Sequence, residues 1–296
     1  MKYNLLGRSG LSVSEIGFGC MSLEPGAPDS QSVIDMAIGK GINFFDTADM
    51  YNKGENETEL GKLLGSRRKN LIIATKVGNE WRKDGSGWDW NAGREYIMGA
   101  VEKSLQRLKT DYIDLYQLHG GMIEDNISET IGAFEALVQQ GKIRYYGISS
   151  IRPEVIRRYL ALSNISTVMM QYSLLDRRPK ESVTELLREH KVSMLARGSL
   201  AKGLLAGKPA KDFLNYTAEE VAVASDAIQS LAGRTAAATA IRFVLDEPAV
   251  ASAIVGMRTV KHCLEAAAAS DAAALKQDEM NVLEKSVSMN FYKEHR

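Results

Sequence analysis

Residues 44–57 read FFDTADMYNKGENE, so an apolar run ends in Asp46 and Tyr51 follows five residues later. A carboxylate at the end of a buried strand calls for a cationic partner. A phenol, with an intrinsic pKa of about 10, needs help to release a proton near neutral pH. Two later runs end in suitable residues: LIIATK (71–76) in Lys76, and YIDLYQLH (112–119) in His119. An ammonium at Lys76 would be held by Asp46 and would favour the phenolate form of Tyr51. His119 could hydrogen-bond and orient the oxygen that the phenol protonates. The chemistry these four suit is proton donation to a carbonyl oxygen without a metal.

For these side chains to meet, their strands must be neighbours ending on one rim. Short apolar runs recur at 15–19, 42–46, 71–75, 112–118, 143–149, 167–171, 192–196 and 250–255, separated by segments of helical periodicity such as 94–108 and 127–141. In 127–141, Ile127, Ile131, Phe134, Leu137 and Val138 share one face, and Gly141 supplies a stop. A further helix begins around residues 150–153, with Pro153 in its first turn. Eight strand–helix units without a linker predict one domain over residues 1–296: an α/β fold, a single (β/α)8 barrel, whose active sites lie at the C-terminal ends of the strands. Residues 2–14 break the rhythm and predict a β-hairpin capping the barrel bottom. The Ala-rich stretches 236–240 and 266–274 read as helix.

Composition narrows the function. The chain has 296 residues, zero formal net charge, 45% hydrophobic and 25% charged residues. Balanced charge gives no reason to expect nucleic acid or a membrane surface as partner. No signal-like N-terminus, no run of about 18 apolar residues and only two cysteines, Cys20 and Cys263, make the cytoplasm the default compartment. Other motifs fail. GFGCMS lacks the third glycine of a dinucleotide fingerprint, GLLAGKP is one residue short of a P-loop, and His119, His190, His262 and His295 have no metal-ligand spacing.

The N-terminal hairpin with GFGCM (17–21), DTADMYNKGENE (46–57), IATKVG (73–78), DYIDLYQLH (111–119), GKIRYYGIS (141–149) and GLLAGK (203–208) resembles the aldo-keto reductases. The resemblance runs from the hairpin to IVGMRT near residue 254. It implies a catalytic tetrad of Asp46, Tyr51, Lys76 and His119, with an extended NADPH or NADP across the rim and a small carbonyl substrate. It also implies that Ser149 and Gln171 bind the nicotinamide carboxamide, and that Gly198, Leu200 and Lys202 cradle the pyrophosphate. Arg258 matches the residue that pairs with the adenosine 2′-phosphate. Further cofactor positions are Gly19, Cys20, Met21, Ser150, Arg197, Gly203, Gly256 and His262. Three positions depart from the family pattern: Ser150 stands where asparagine is usual, Arg197 where an aromatic stacks, and His262 with Ala266 where glutamine and asparagine are frequent. All three tryptophans fall in the polar loop 79–93, where Trp81 is the expected substrate wall. The alternative function is an NADPH-binding regulatory or redox-sensing subunit of slow turnover, since potassium-channel β subunits resemble this family too. A chain that starts directly at the hairpin favours the enzyme.

Overall fold

The computed structural model describes residues 1–294; His295 lies outside the described residues. A short antiparallel hairpin, β1 (Tyr3–Leu5) and β2 (Ser12–Ser14), opens the chain. The barrel strands are β3 (Ile16–Gly19), β4 (Phe44–Asp46) and β5 (Ile72–Val77), then β8 (Ile113–Leu118), β9 (Ile143–Ser149), β10 (Thr167–Gln171), β11 (Ser193–Arg197) and β12 (Val250–Gly256). Between β5 and β8 lies a second hairpin, β6 (Asn79–Trp81) and β7 (Trp88–Trp90). The eight barrel strands are all parallel and close as β3-β4-β5-β8-β9-β10-β11-β12, with β12 pairing back to β3.

Helices cover the outside: α1 (Ser30–Gly39), α2 (Glu55–Leu64), α3 (Arg94–Leu108), α4 (Ile127–Gln139) and α5 (Pro153–Leu162). They continue as α6 (Val183–Glu189), α7 (Ala218–Ser230), α8 (Ala236–Leu245), α9 (Val260–Asp271) and α10 (Gln277–Ser286). Pro153 is tolerated at the start of α5 because its missing N–H would have no partner there anyway. Among the described residues no helix is long and apolar enough to cross a membrane.

Strand pleating decides what lines the barrel. Side chains two residues apart share a face, and Phe44, Ile72, Ala74, Leu115, Met169, Leu195 and Ile254 form one interior cluster. The N-terminal hairpin closes it from below: Leu6, Leu11 and Val13 join the same cluster, while Gly7 N–H donates to Ser193 Oγ at the start of β11. The next inward positions toward the C-terminal ends are Asp46, Lys76, Gln117, Gln171 and Arg197. Deeper in the barrel the polar side chains are small hydroxyls such as Thr167 and Ser252, and the charged and amide groups stand in the topmost layer, where a site can open to solvent.

Two segments differ from the sequence reading. The tryptophan-rich loop folds as the β6–β7 hairpin because Trp81 pairs with Trp88 across it, and Arg82 holds Asp89 through three charged hydrogen bonds of 2.6, 2.9 and 3.1 Å. The second Ala-rich stretch leaves the helix after Asp271. Arg234 donates to the carbonyls of Ala273 and Ala274, and Asp246 accepts from Leu275 N–H, which draws that backbone away from α9.

Candidate active site

Asp46, Lys76 and His119 stand at or just past the ends of three adjacent strands, β4, β5 and β8. Lys76 is fully buried, and its Nζ donates to Asp46 Oδ1 at 2.5 Å and to the Thr47 carbonyl at 2.6 Å. Gln117 Nε2 donates to the other carboxylate oxygen of Asp46 at 3.3 Å. Thr47 and Gln117 were not expected from the sequence. Gln117 had a signal, since it lies two residues before His119 on a strand whose other inward residue is Leu115.

Electrostatics tie this pair together. Burial raises the Asp46 carboxyl above its ordinary range, while the charge and hydrogen bond of Lys76 pull it back. For Lys76, burial acts against the ammonium, but Asp46 and the Tyr51 phenol outweigh it and its pKa is raised. The pair is thus held as an ion pair that neither partner could sustain alone in so dry a place.

Tyr51 reaches the same point from a tight turn. Its N–H donates to the Ala48 carbonyl, and Asn52, Lys53 and Gly54 follow in the left-handed region before α2 begins. Gly54 has φ +92°, and a Cβ there would lie 2.8 Å from the Arg107 side chain, so a larger residue would be strained and would push Arg107 aside. The Tyr51 ring centroid lies 5.2 Å from Lys76 Nζ, and the His119 ring meets it edge-on at 5.8 Å between centroids. The His119 backbone is fixed by donation to Val77 O, and its Nδ1 is buried without a partner among the described residues. Burial, then the charges of Lys76 and Arg197, hold its pKa well below the usual histidine value. The imidazole is neutral at physiological pH. An N–H at Nδ1 would be an unsatisfied donor, which assigns the proton to Nε2.

The other expected residues spread along the rim. Ser149, Gln171, Arg197, Gly256 and Gly19 end successive neighbouring strands from β9 round to β3. Ser150 is buried; its N–H donates to Met169 O, and its hydroxyl accepts from Arg152 N–H at the start of α5. Arg197 is exposed at the mouth, close enough for its charge to act on Asp46 and His119. After β11, the chain turns through positive φ at Gly198, Ala201, Lys202 and Gly203, with Leu200 preceding a 3-10 turn over Ala201–Ala206. Arg258 and His262 are exposed around the start of α9, whose first turn is capped by Thr259. Met21 is exposed, whereas the Cys20 thiol is turned into the core between barrel and helices. Only the backbone of Cys20 is left to face the rim.

The tryptophans divide by environment. Trp90 donates to Asp125 Oδ1 at 2.8 Å and covers Gly78 and Gly120, where a Cβ would come within 2.7 and 2.9 Å of its ring. It pins the hairpin to the barrel. Trp88 points to solvent. Trp81 is half-buried, with Lys53 over its ring at 5.0 Å and a buried indole N–H that has no partner among the described residues. Among the described residues, no cluster of histidine, cysteine and carboxylate side chains is arranged to hold a metal.

A family model described as the aldo/keto reductase family matches residues 15–288. The oxidoreductase YqkF of Bacillus subtilis (strain 168), named as uncharacterized, is 47% identical, with 100% of both chains covered. The protein named aldo-keto reductase yakc, NADP(+), of Schizosaccharomyces pombe is 36% identical over 66% of this chain and 61% of its own length. Among solved structures, the holo form of the aldo-keto reductase AKR11C1 from Bacillus halodurans superposes with a TM-score of 0.96 at 45% identity. That comparison covers 100% of this chain and 99% of the other.

Proposed function

This chain belongs to the aldo/keto reductase family, and we propose that it reduces aldehyde or ketone carbonyls with NADPH, using Tyr51 as the proton donor. The observation that carries this reading is the buried Asp46–Lys76 pair at 2.5 Å with its ammonium 5.2 Å from the Tyr51 ring centroid. A positive charge so placed stabilises the phenolate that remains once Tyr51 has given up its proton. Neutral His119 has a donor to offer the carbonyl oxygen, which orients it without taking the proton itself.

The rim fits a dinucleotide. Ser149, Gln171 and Arg197 lie on adjacent strand ends beside the tetrad and would hold the nicotinamide end. Ser199 carries a buried hydroxyl with no partner, next to the turn at 198–203 that would cradle the pyrophosphate. The first turn of α9, with exposed Arg258 and Lys261 beside it, suits a phosphate, because helix N-termini favour anions and arginine pairs with phosphate bidentately. When bound, the reduced nicotinamide supplies hydride to the carbonyl carbon. The name of the NADP(+) relative supports the choice of phosphorylated cofactor.

The test is a panel of aldehydes, ketones and quinones assayed by NADPH oxidation, in single-turnover and steady-state modes. Multiple turnovers with at least one carbonyl class are expected. Slow turnover limited by NADP release throughout the panel would replace the enzyme reading with that of a cofactor-binding sensor.

A further inference from the structure

Behind the tetrad, against the outer face of β5, lies a second group of buried polar side chains. Glu57 of α2 is fully buried; it accepts from Thr75 Oγ1 at 2.5 Å and from Arg107 Nε of α3 at 2.6 Å. Beside it sits Asp49, in the turn between β4 and Tyr51 and only 8% exposed. Asp49 N–H donates to the Lys76 carbonyl at 3.2 Å, so its backbone spans Tyr51's turn and the catalytic lysine's strand. Its Oδ2 lies 3.4 Å from the Tyr96 hydroxyl of α3, its Oδ1 is buried with no well-aligned partner among the described residues, and the Met50 N–H lies near the carboxyl group. The same Tyr96 hydroxyl lies 3.2 Å from the carbonyl of Asn79, the first residue of β6.

Counting protons bears on the state of this group. Tyr96 has one hydroxyl proton, and the Asn79 peptide oxygen can only accept. With Asp49 ionised, two acceptors compete for that proton. An ionised Asp49 leaves one proton shared between two acceptors in a weak three-centre bond, whereas each contact has a proton of its own when Tyr96 donates to Asn79 O and accepts from a protonated Asp49. A neutral acid also leaves the bare Oδ1 as a carbonyl oxygen, far cheaper to bury unpartnered than a carboxylate oxygen.

We propose that Asp49 is a positioning residue that works as a neutral acid, latching the Tyr51 turn through Tyr96 to the hairpin that carries Trp81. The functional meaning of this latch rests on the reading of Tyr51 as proton donor, but the latch itself does not.

The groups around Asp49 agree with it. Burial, then the charge of Glu57, pushes its carboxyl up to about 7, against Arg107, the Met50 N–H and the Tyr96 hydroxyl. Tyr116 of β8 faces the same space with a buried hydroxyl, and Glu80 of β6 lies near Tyr96. Among the described residues no cation forms an ion pair with Asp49, and Arg107 is engaged by Glu57. As pH rises through about 7, Asp49 ionises, Tyr96 is drawn from Asn79, and the hairpin loosens relative to Tyr51.

All three tryptophans, 81, 88 and 90, lie on this hairpin, so intrinsic emission reports its seating without any need for turnover. Emission is titrated from about pH 5.5 to about pH 8.5 in the wild type, Asp49→Asn and Tyr96→Phe. The wild type is expected to show one transition with its midpoint near 7. Asp49→Asn keeps a donor toward Tyr96 and is expected to hold the low-pH spectrum throughout. Tyr96→Phe cuts the connection and is expected to be flat as well. In turnover, the wild-type KM for carbonyl rises several-fold over the same range, whereas that of Asp49→Asn stays level with kcat retained. A flat wild-type titration, or a transition that persists in Asp49→Asn, overturns the proposal. A transition of the expected kind in a protein that reduces no carbonyl would leave the latch standing and remove the reading of Tyr51.

Discussion

Replacing Lys76 with methionine fills nearly the same volume but removes the cation bonded to Asp46. The lost contacts are those to Asp46 at 2.5 Å and Thr47 at 2.6 Å, and the donation from Gln117 to the carboxylate at 3.3 Å remains. Breaking a buried pair by deleting one partner costs about 3–5 kcal/mol, because the survivor's charge is left uncompensated. Burial already raises the Asp46 carboxyl, so without Lys76 it takes up a proton, which limits the loss. Turnover should fall by about 10²-fold or more, since the phenolate of Tyr51 loses its neighbouring charge. Asp46→Asn is milder. Its amide oxygen still accepts from Lys76, and its amide nitrogen can donate to Gln117 Oε1, which is buried and unpartnered in the wild type, once that side chain flips. The double variant Lys76→Met/Asp46→Asn separates the two effects: it should recover much of the stability lost in Lys76→Met and none of the activity. Urea unfolding and steady-state NADPH oxidation measure both on the same samples. The reasoning fails if the double variant is no more stable than Lys76→Met, or if Asp46→Asn reduces turnover more than Lys76→Met does.

Further outcomes follow from the rim and from the buried acid. Arg258→Ala should weaken NADPH by about one to two decades and NADH little, as a charge-assisted pair contributes about 1.5–3 kcal/mol; titrations with both cofactors by tryptophan quenching check this, and equal losses would remove Arg258 as the phosphate ligand. High salt should narrow the NADPH preference, because the arginine is exposed. The pH profile of kcat should show no ionisation of His119 between about pH 6 and 7, since its pKa is held well below that range; a limb there that vanishes in a His119→Gln variant would contradict the neutral assignment. Asp49 carries the opposite sign from an ordinary carboxylate. Its folded value of about 7 stands above the ordinary 3.8, so the fold holds a proton that the unfolded chain releases, and stability falls as pH rises between those values. Asp49→Asn should therefore flatten the stability profile and gain up to about 4 kcal/mol above pH 7, from roughly three pH units at about 1.36 kcal/mol each; equal unfolding free energies of the two proteins at about pH 8 would refute it.

Much of the barrel was legible because strand and helix differ in period, and Arg94–Leu108 is a helix over the residues that its pattern predicted. The tetrad's convergence was legible for the same reason: three strands that end in ionisable residues, set side by side, share a rim. What stayed hidden depends on contacts distant in sequence. Nothing local to Trp88 and Trp81 announces that they pair, or that Trp90 will cover two glycines 30 and 12 residues away. Ala272–Ala274 have strong helix propensity, yet Arg234 and Asp246 claim their surroundings. The Thr47 carbonyl on Lys76 is a backbone contact that no side-chain pattern encodes. Asp49 looked like one more polar loop residue; its meaning depends on Tyr96, 47 positions away.

Tyr51→Phe tests the central claim most directly, because it removes one hydroxyl while the ring keeps its place against His119 and Lys76. Steady-state turnover with a good carbonyl substrate and NADPH binding by fluorescence are measured side by side on wild type and variant. General acid catalysis is worth about 10²–10⁴-fold, so turnover is expected to fall by that much with cofactor affinity within about twofold of wild type. A phenylalanine variant that keeps most of its turnover would show that the proton comes from somewhere other than Tyr51.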